Sequence, residues 1–286
     1  MSSSNFIRKT GVLVAGGGVY ASAVYMAYHY RQMNETVAAL TTENDDTISR
    51  PANYFTMNPL RNQQYQKIAH FYDDRIGRDE FFMGINLLRR SLLYFHAAGT
   101  VLEVGAGTAR NLKYYQKSST VDRVVLMDQS DQMLSQAQLK VADLPADQQP
   151  RFACVQADAA HLNLPDHSFD TVVDTFGLCS YNDPEAVLRE MARVCKPTGK
   201  ILLLEHGRSA DWEFVTQHLD HHAETHAKNW GCVWNRDLDI VLQQSGLSIE
   251  VLRKWHFGTT YYVVCRPAAT TASSTSTNSI VSTDTS

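Results

Sequence analysis

The stretch VLEVGAGTAR, residues 101–110, sets a carboxylate, Glu103, two residues ahead of Gly105, which Ala106 separates from Gly107. Val101, Leu102 and Val104 read as a buried strand, and the two glycines let the chain turn tightly and bring bare backbone to a ligand. A dinucleotide fingerprint wants a third glycine where Arg110 stands, and a P-loop wants a Gly-Lys-Ser/Thr that does not follow. A carboxylate at position 103 repels a pyrophosphate but suits an ammonium group. The expected ligand carries a nucleoside and no phosphate.

Later apolar runs end in matching chemistry. RVVLMD closes on Asp128, whose two oxygens suit ribose hydroxyls. VQADAAHL sets Asp158, followed by Ala159, where a carboxylate can accept from an adenine amino group. SFDTVVDTFGLCS runs into Thr175 and Phe176 at the same expected sheet edge, where open α/β sheets bind ligands. His206 follows Glu205 at the end of the next run. Imidazole titrates near neutral pH, so His206 is the candidate catalytic proton acceptor, although a histidine that only hydrogen-bonds a neighbouring loop reads the same. His218, His222 and His226 repeat at four-residue intervals on an expected helix, but zinc sites usually recruit a second element, and no metal is expected.

These residues need a scaffold. Five apolar runs (101–104, 124–127, 152–156, 169–174 and 201–204) alternate with helical segments, which predicts a doubly wound, mostly parallel α/β sheet. Two β-rich runs, 248–257 and 260–265, are separated only by Gly258 and Thr259 and predict an antiparallel C-terminal hairpin. Phe81, Ile85, Leu88 and Leu92 give Tyr65–His96 a helical period, from which Tyr65 and Tyr72 could close over a ligand. Trp230, Trp234 and Trp255 fall around the insert after the fifth strand, as pocket walls for an apolar or aromatic substrate or as ordinary core.

Outside this domain, expected over 65–267, residues 1–10 are a basic segment and 11–30 contain no Asp, Glu, Lys or Arg. As a helix the second stretch spans ~30 Å, the thickness of a bilayer core, and it reads as a transmembrane anchor. The rival reading is a signal peptide cleaved after Ala21-Ser22-Ala23. Residues 31–64 read as a linker, and the Ser/Thr-rich 268–286 as a disordered tail. Arg8 and Lys9 ahead of the apolar run place the domain across the membrane from the amino terminus. The net charge of -4 argues against a nucleic-acid-binding face. Five scattered cysteines without a CxxC pair read as reduced thiols.

VLEVGAGTARN, LMDQSDQML, ADAAHLNLPDHSFDTVV and EMARVCKPTGKILLLEHG, in that order, resemble the class I S-adenosylmethionine-dependent methyltransferases, with their Rossmann-like seven-stranded sheet. The resemblance implies S-adenosyl-L-methionine as cofactor. It places Glu103, Gly105, Ala106 and Gly107 around the methionine moiety and Asp128, with Gln129, at the ribose. Asp158 and Ala159 would meet the adenine, and Thr175 and Phe176 the sulfonium. Ala109 stands where the family often has glycine and should narrow the pocket slightly. YDDRIGRDEFFMGINLLRRSLL, GTARNLKYY, LLEHGRS and NWGCVWNRDLDIVLQQSGL are closer to membrane-anchored methyltransferase-like proteins of the mitochondrial inner membrane. That resemblance implies a domain in the intermembrane space. The LCS and EHG stretches also resemble alkyl-thiol methyltransferases of the endoplasmic reticulum and lipid droplets, which leaves that membrane as an alternative. The expected function is methyl transfer to a small acceptor, with a catalytically silent assembly or stability factor as the competing reading. Protein partners are not indicated.

Overall fold

The computed structural model describes residues 60–268. The expected anchor, most of the linker and nearly all of the tail lie outside these residues. Among the described residues, no helix is long and apolar enough to cross a membrane.

Seven strands form one sheet: β1 Gly99–Val104, β2 Val121–Asp128, β3 Phe152–Gln156, β4 Phe169–Thr175, β5 Cys195–His206, β6 Ser248–Trp255 and β7 Thr260–Arg266. Their order is β3-β2-β1-β4-β5-β7-β6. The first five pair in parallel, and β7 runs antiparallel between β5 and β6. The helices are α1 Leu60–Ile68, α2 Tyr72–Phe82, α3 Ile85–His96, α4 Leu112–Tyr115, α5 Asp131–Ala142, α6 Pro184–Val194, α7 Glu213–Trp230 and α8 Leu238–Gln244.

Alternation along β1 explains the layers. Leu102 and Val104 enter a core with Val187, Leu188 and Met191 of α6, while Val101 enters a second core with Leu92 and Leu93 of α3. Strands buried on both faces read as continuous apolar runs. Side-chain caps start the helices after the strands: Ser130 accepts from Met133 N at 3.3 Å and Asp183 from Ala186 N at 2.7 Å. The segment read as helical from Tyr65 is broken at Gly84, which adopts φ 69°, because the chain there must reverse between α2 and α3.

The hairpin pairs as expected, but its turn spans His256–Thr259 rather than two residues. His256, Phe257 and Gly258 all take positive φ, and the His256 ring is held between Met83 O at 2.8 Å and Thr260 Oγ1 at 2.9 Å. Those contacts end β6 at Trp255, short of the expected limit.

Candidate functional site

The strand order reverses between β1 and β4, and a cavity of about 610 Å³ opens there at the carboxyl ends of the strands. Every residue expected at the cofactor lines it: Glu103, Gly105, Ala106 and Gly107 from the first turn, Asp128 and Gln129 from the second. Asp158, Ala159, Thr175 and Phe176 complete the wall, and Tyr65 and Tyr72 close it from the leading helices.

The glycine turn is held by its neighbours. Gly105 and Gly107 have φ 59° and 54°, and a Cβ on Gly105 would sit 2.4 Å from the Tyr181 hydroxyl. Asp128 Oδ2 accepts from Gly107 N and Oδ1 from Ser130 N, each at 2.8 Å. This carboxylate therefore shapes both turns before it meets any ribose, and each oxygen keeps a further lone pair. Burial pushes its pKa up, against those backbone donors.

Glu103 is buried, and burial pushes its carboxyl up to about 7 against a hydrogen bond from Tyr115, the pull of Arg89 and a hydrogen bond from Asn111. Asn111 Nδ2 donates to Oε1 at 3.1 Å, and the buried Tyr115 hydroxyl is the carboxylate's other hydrogen-bonding neighbour. A buried carboxylate lining the cavity fits the ammonium group of an amino-acid moiety. Asp158 is exposed at the rim, where Oδ1 accepts from Ala160 N at 3.0 Å and Oδ2 lies 3.5 Å from His161 Nδ1. The residues present fit S-adenosylmethionine.

Arg89, Glu80 and Asp73, not singled out in the sequence, join Arg110 here, and both arginines line the cavity. Arg89 donates to Thr175 Oγ1 at 2.7 Å, Asn111 Oδ1 at 3.1 Å and Glu80 Oε1 at 2.7 Å. Arg110 binds Glu80 at 2.6 Å and Asp73 at 3.0 Å. The arginine that spoils a dinucleotide fingerprint thus clamps α2 onto the glycine turn. Burial pushes the Glu80 carboxyl up, but Arg89 and Arg110 outweigh it and hold the group below its ordinary range. Asp73 also accepts from Thr108 at 2.7 Å and pairs with Lys140. Glu80 and Asp73 are acids about two turns apart on α2, and their spacing on one helix face was the available signal.

Ala109 does not narrow the cavity. It takes φ 58° and buries its methyl in the core beneath the turn, so the departure from glycine is borne by the backbone.

His206 is not part of the cavity wall. Phe176 stands before it, edge-on at 5.5 Å between ring centroids, and Nε2 faces Cys232 Sγ at 2.9 Å. The expected rim position is correct, but β5 carries the ring behind Phe176 rather than toward the cavity. Cys179 lies beside the pair: burial raises its pKa, yet Cys232 and His206 bring it well below the thiol range. All five cysteines are free thiols. The helix histidines do not converge on a metal. His226 stacks on Trp234 at 4.0 Å, and burial next to His206 pushes it down to about 4. None of the three tryptophans lines the cavity: Trp230 packs near Ile68 and Met133, and Trp255 is exposed.

Comparison with known proteins agrees with this geometry. Residues 102–203 match the family described as a methyltransferase domain. The fold is that of the DhpI–SAH complex (TM-score 0.54, 19% identity, 73% of this chain and 95% of that one). It is also that of the [4+2]-cyclase SpnF (TM-score 0.57, 15% identity, 73% and 95%). Residues 102–203 are by that match a methyltransferase domain, on a fold shared with the DhpI–SAH complex.

Among sequence relatives, the chain is 36% identical to the mitochondrial methyltransferase OMS1 of Saccharomyces cerevisiae over 217 residues, 71% of this chain and 45% of that one. It is 38% identical over 119 residues to a phosphatidylethanolamine N-methyltransferase of Cereibacter sphaeroides, 41% of this chain and 56% of the relative. It is 37% identical over 107 residues to the ubiquinone/menaquinone biosynthesis C-methyltransferase UbiE of Enterobacter sp. (strain 638), 37% and 42%. The chain spans about half the length of these curated relatives.

Proposed function

We propose that the protein transfers the methyl group of S-adenosylmethionine to a small apolar or aromatic acceptor at a mitochondrial membrane. The observation that carries this reading is the buried Glu103 carboxylate in a cavity whose other walls match a nucleoside. Fold alone would not suffice, since a cyclase shares it.

The cofactor supplies an activated methyl on a sulfonium leaving group. What remains for the protein is to orient the acceptor in line with the methyl and exclude water. Tyr65 and Tyr72 cover the cavity and Phe176 closes its inner end. No side-chain base is assigned, because His206 is engaged with Cys232 behind Phe176.

Membrane anchorage through residues 11–30, with the domain in the intermembrane space, is supported by the charge pattern of the amino terminus and by similarity to a mitochondrial relative. Phe81, Leu87 and Trp212 are exposed, Trp212 packs edge-on against Phe257 in the hairpin turn, and the His256–Met83 bond ties that turn to the loop between α2 and α3. Aromatic rings of this kind suit the headgroup level of a bilayer. An apolar acceptor suits that setting.

The test is transfer of an isotopically labelled methyl group by the full chain in detergent to panels of thiols, quinols and phenols. Labelled product from at least one class is expected. Cofactor binding without transfer to any of them, or to a lipid extract, would favour the non-catalytic reading.

A further inference from the structure

We propose that Cys179, His206 and Cys232 form a zinc site with three protein ligands and a fourth position on the side of the cofactor cavity. The three residues come from separate elements: the turn after β4, the end of β5 and the turn that follows α7. Their ligand atoms all lie within 4.8 Å of one another, and among the described residues this is the cluster suited to a metal.

The backbone brings them together. Val233 N donates to Cys179 O at 3.0 Å, tying the chain beside one thiol to the residue that carries the other. Arg236 Nη2 holds Tyr181 O at 2.7 Å, and His206 is held in register opposite Thr260 in β7. The 2.9 Å approach of His206 Nε2 to Cys232 Sγ is much closer than the 3.5 Å and 3.7 Å contacts of the Cys265 and Cys195 thiols to carbonyl oxygens. Tetrahedral zinc with Zn–S ~2.3 Å and Zn–N ~2.0–2.1 Å has ligand–ligand edges of about 3.5–3.8 Å. On metal entry the 2.9 Å His206–Cys232 pair must open to that edge by side-chain rotation.

Charge favours the same ion. Two thiolates and a neutral imidazole cancel a dication, so a filled site carries no net charge where Cys179 and Cys232 are buried. Both thiol protons leave to solvent as the metal enters. Two sulfurs and one imidazole select a borderline-soft ion over magnesium or calcium, and three ligands leave room for an exchangeable fourth.

That fourth position has a neighbour on the cavity side. Ser180 Oγ is 3.5 Å from Cys179 Sγ and 2.5 Å from the Tyr65 hydroxyl, and both Ser180 and Tyr65 line the cavity. A thiol or hydroxyl entering from the cavity would give up its proton to solvent on coordination, and so arrive as a nucleophile. This second half rests on the methyl-transfer reading; the metal site does not.

The test uses the full chain, purified under reductant without chelators. Elemental analysis is expected to find about one zinc per chain. Cobalt exchanged into the site is expected to show thiolate charge-transfer and intense tetrahedral bands, which ethanethiol shifts. Cys179→Ser and Cys232→Ser should each weaken or abolish those bands, and Cys232→Ser should leave S-adenosylmethionine affinity within about threefold, since Cys232 is not among the residues that line the cavity. Reduced protein that binds S-adenosylmethionine but takes up neither metal would overturn the site. So would a Cys179–Cys232 disulfide in protein isolated without oxidant, or metal retained by the double variant. A cobalt spectrum indifferent to ethanethiol overturns the open position alone. A normal cobalt spectrum without S-adenosylmethionine binding would leave the metal site standing and remove the methyl-transfer reading.

Discussion

The Arg89 guanidinium donates to Thr175 Oγ1 at 2.7 Å, joining a helix that precedes the sheet to the carboxyl end of β4. The same guanidinium is 3% exposed and its charge is answered by Glu80, which also holds Arg110 of the glycine turn. Stability and cofactor binding are therefore linked through one buried carboxylate. Glu80→Gln leaves two arginines under-compensated and should destabilise the domain by about 3–5 kcal/mol. Urea unfolding measures it; a loss under about 1 kcal/mol would show that the pair is replaceable.

Acid should act through the same group. The Glu80 and Asp73 carboxyls are held below their ordinary values, so the unfolded chain binds their protons more readily. Their contribution is full above the ordinary carboxylate range of about 4 and is lost as pH falls through the depressed folded values. The denaturation midpoint should fall below pH ~4 in the parent, and Glu80→Gln should flatten that limb.

Glu103 has the opposite sign. Its folded carboxyl, raised to about 7, binds a proton that the unfolded chain releases near 4.3, so stability of the free protein should decline between those values as pH rises. An ammonium group needs the ionised form. Cofactor binding below pH ~7 should therefore expel a proton, and affinity should rise with pH until the cofactor's own amine begins to titrate near 8. Calorimetry in buffers of different ionisation enthalpy reads the proton directly. Glu103→Gln should bind weakly and without the acid limb; an unchanged pH profile would remove Glu103 from the ammonium site.

Asp128→Ala should weaken S-adenosylmethionine by ~10–100-fold, because charge-assisted hydrogen bonds contribute ~1.5–3 kcal/mol each. The bonds to Gly107 N and Ser130 N add a second effect, a looser turn. Asp128→Asn retains one carbonyl acceptor and should fall between the parent and the alanine variant. Equal affinities in all three proteins would contradict the ribose assignment.

Gly105→Ala meets both a positive φ and the Tyr181 hydroxyl 2.4 Å away. The left-handed backbone alone costs ~1–2 kcal/mol, and the clash adds to it. Tyr181→Phe in the same chain should recover part of the loss by removing the hydroxyl. No recovery would place the whole cost in the backbone.

The parts of the site that could be read in the sequence were those set by local pattern. An apolar run followed by Gly105 and Gly107, and acids at later strand ends, carry their chemistry within a few residues. Arg89 could not be read that way, because a charged residue on an amphipathic helix ordinarily points to solvent, and Glu80 pairs with it only after α2 and α3 fold against each other. The Cys179, His206 and Cys232 cluster escaped for a similar reason. Metal ligands are recognised by short spacings, and these three are assembled by sheet order instead. The hairpin was visible as two β-rich runs, but its turn length was not, because the Met83 carbonyl that holds His256 lies in another element.

The most direct measurement is calorimetric titration of the full chain with S-adenosylmethionine, S-adenosylhomocysteine and NAD. Saturable binding of both adenosyl compounds, lost or strongly weakened in Glu103→Gln and Asp128→Ala, and no binding of NAD are predicted. Binding of NAD in their place, or adenosyl binding indifferent to both substitutions, would contradict the account.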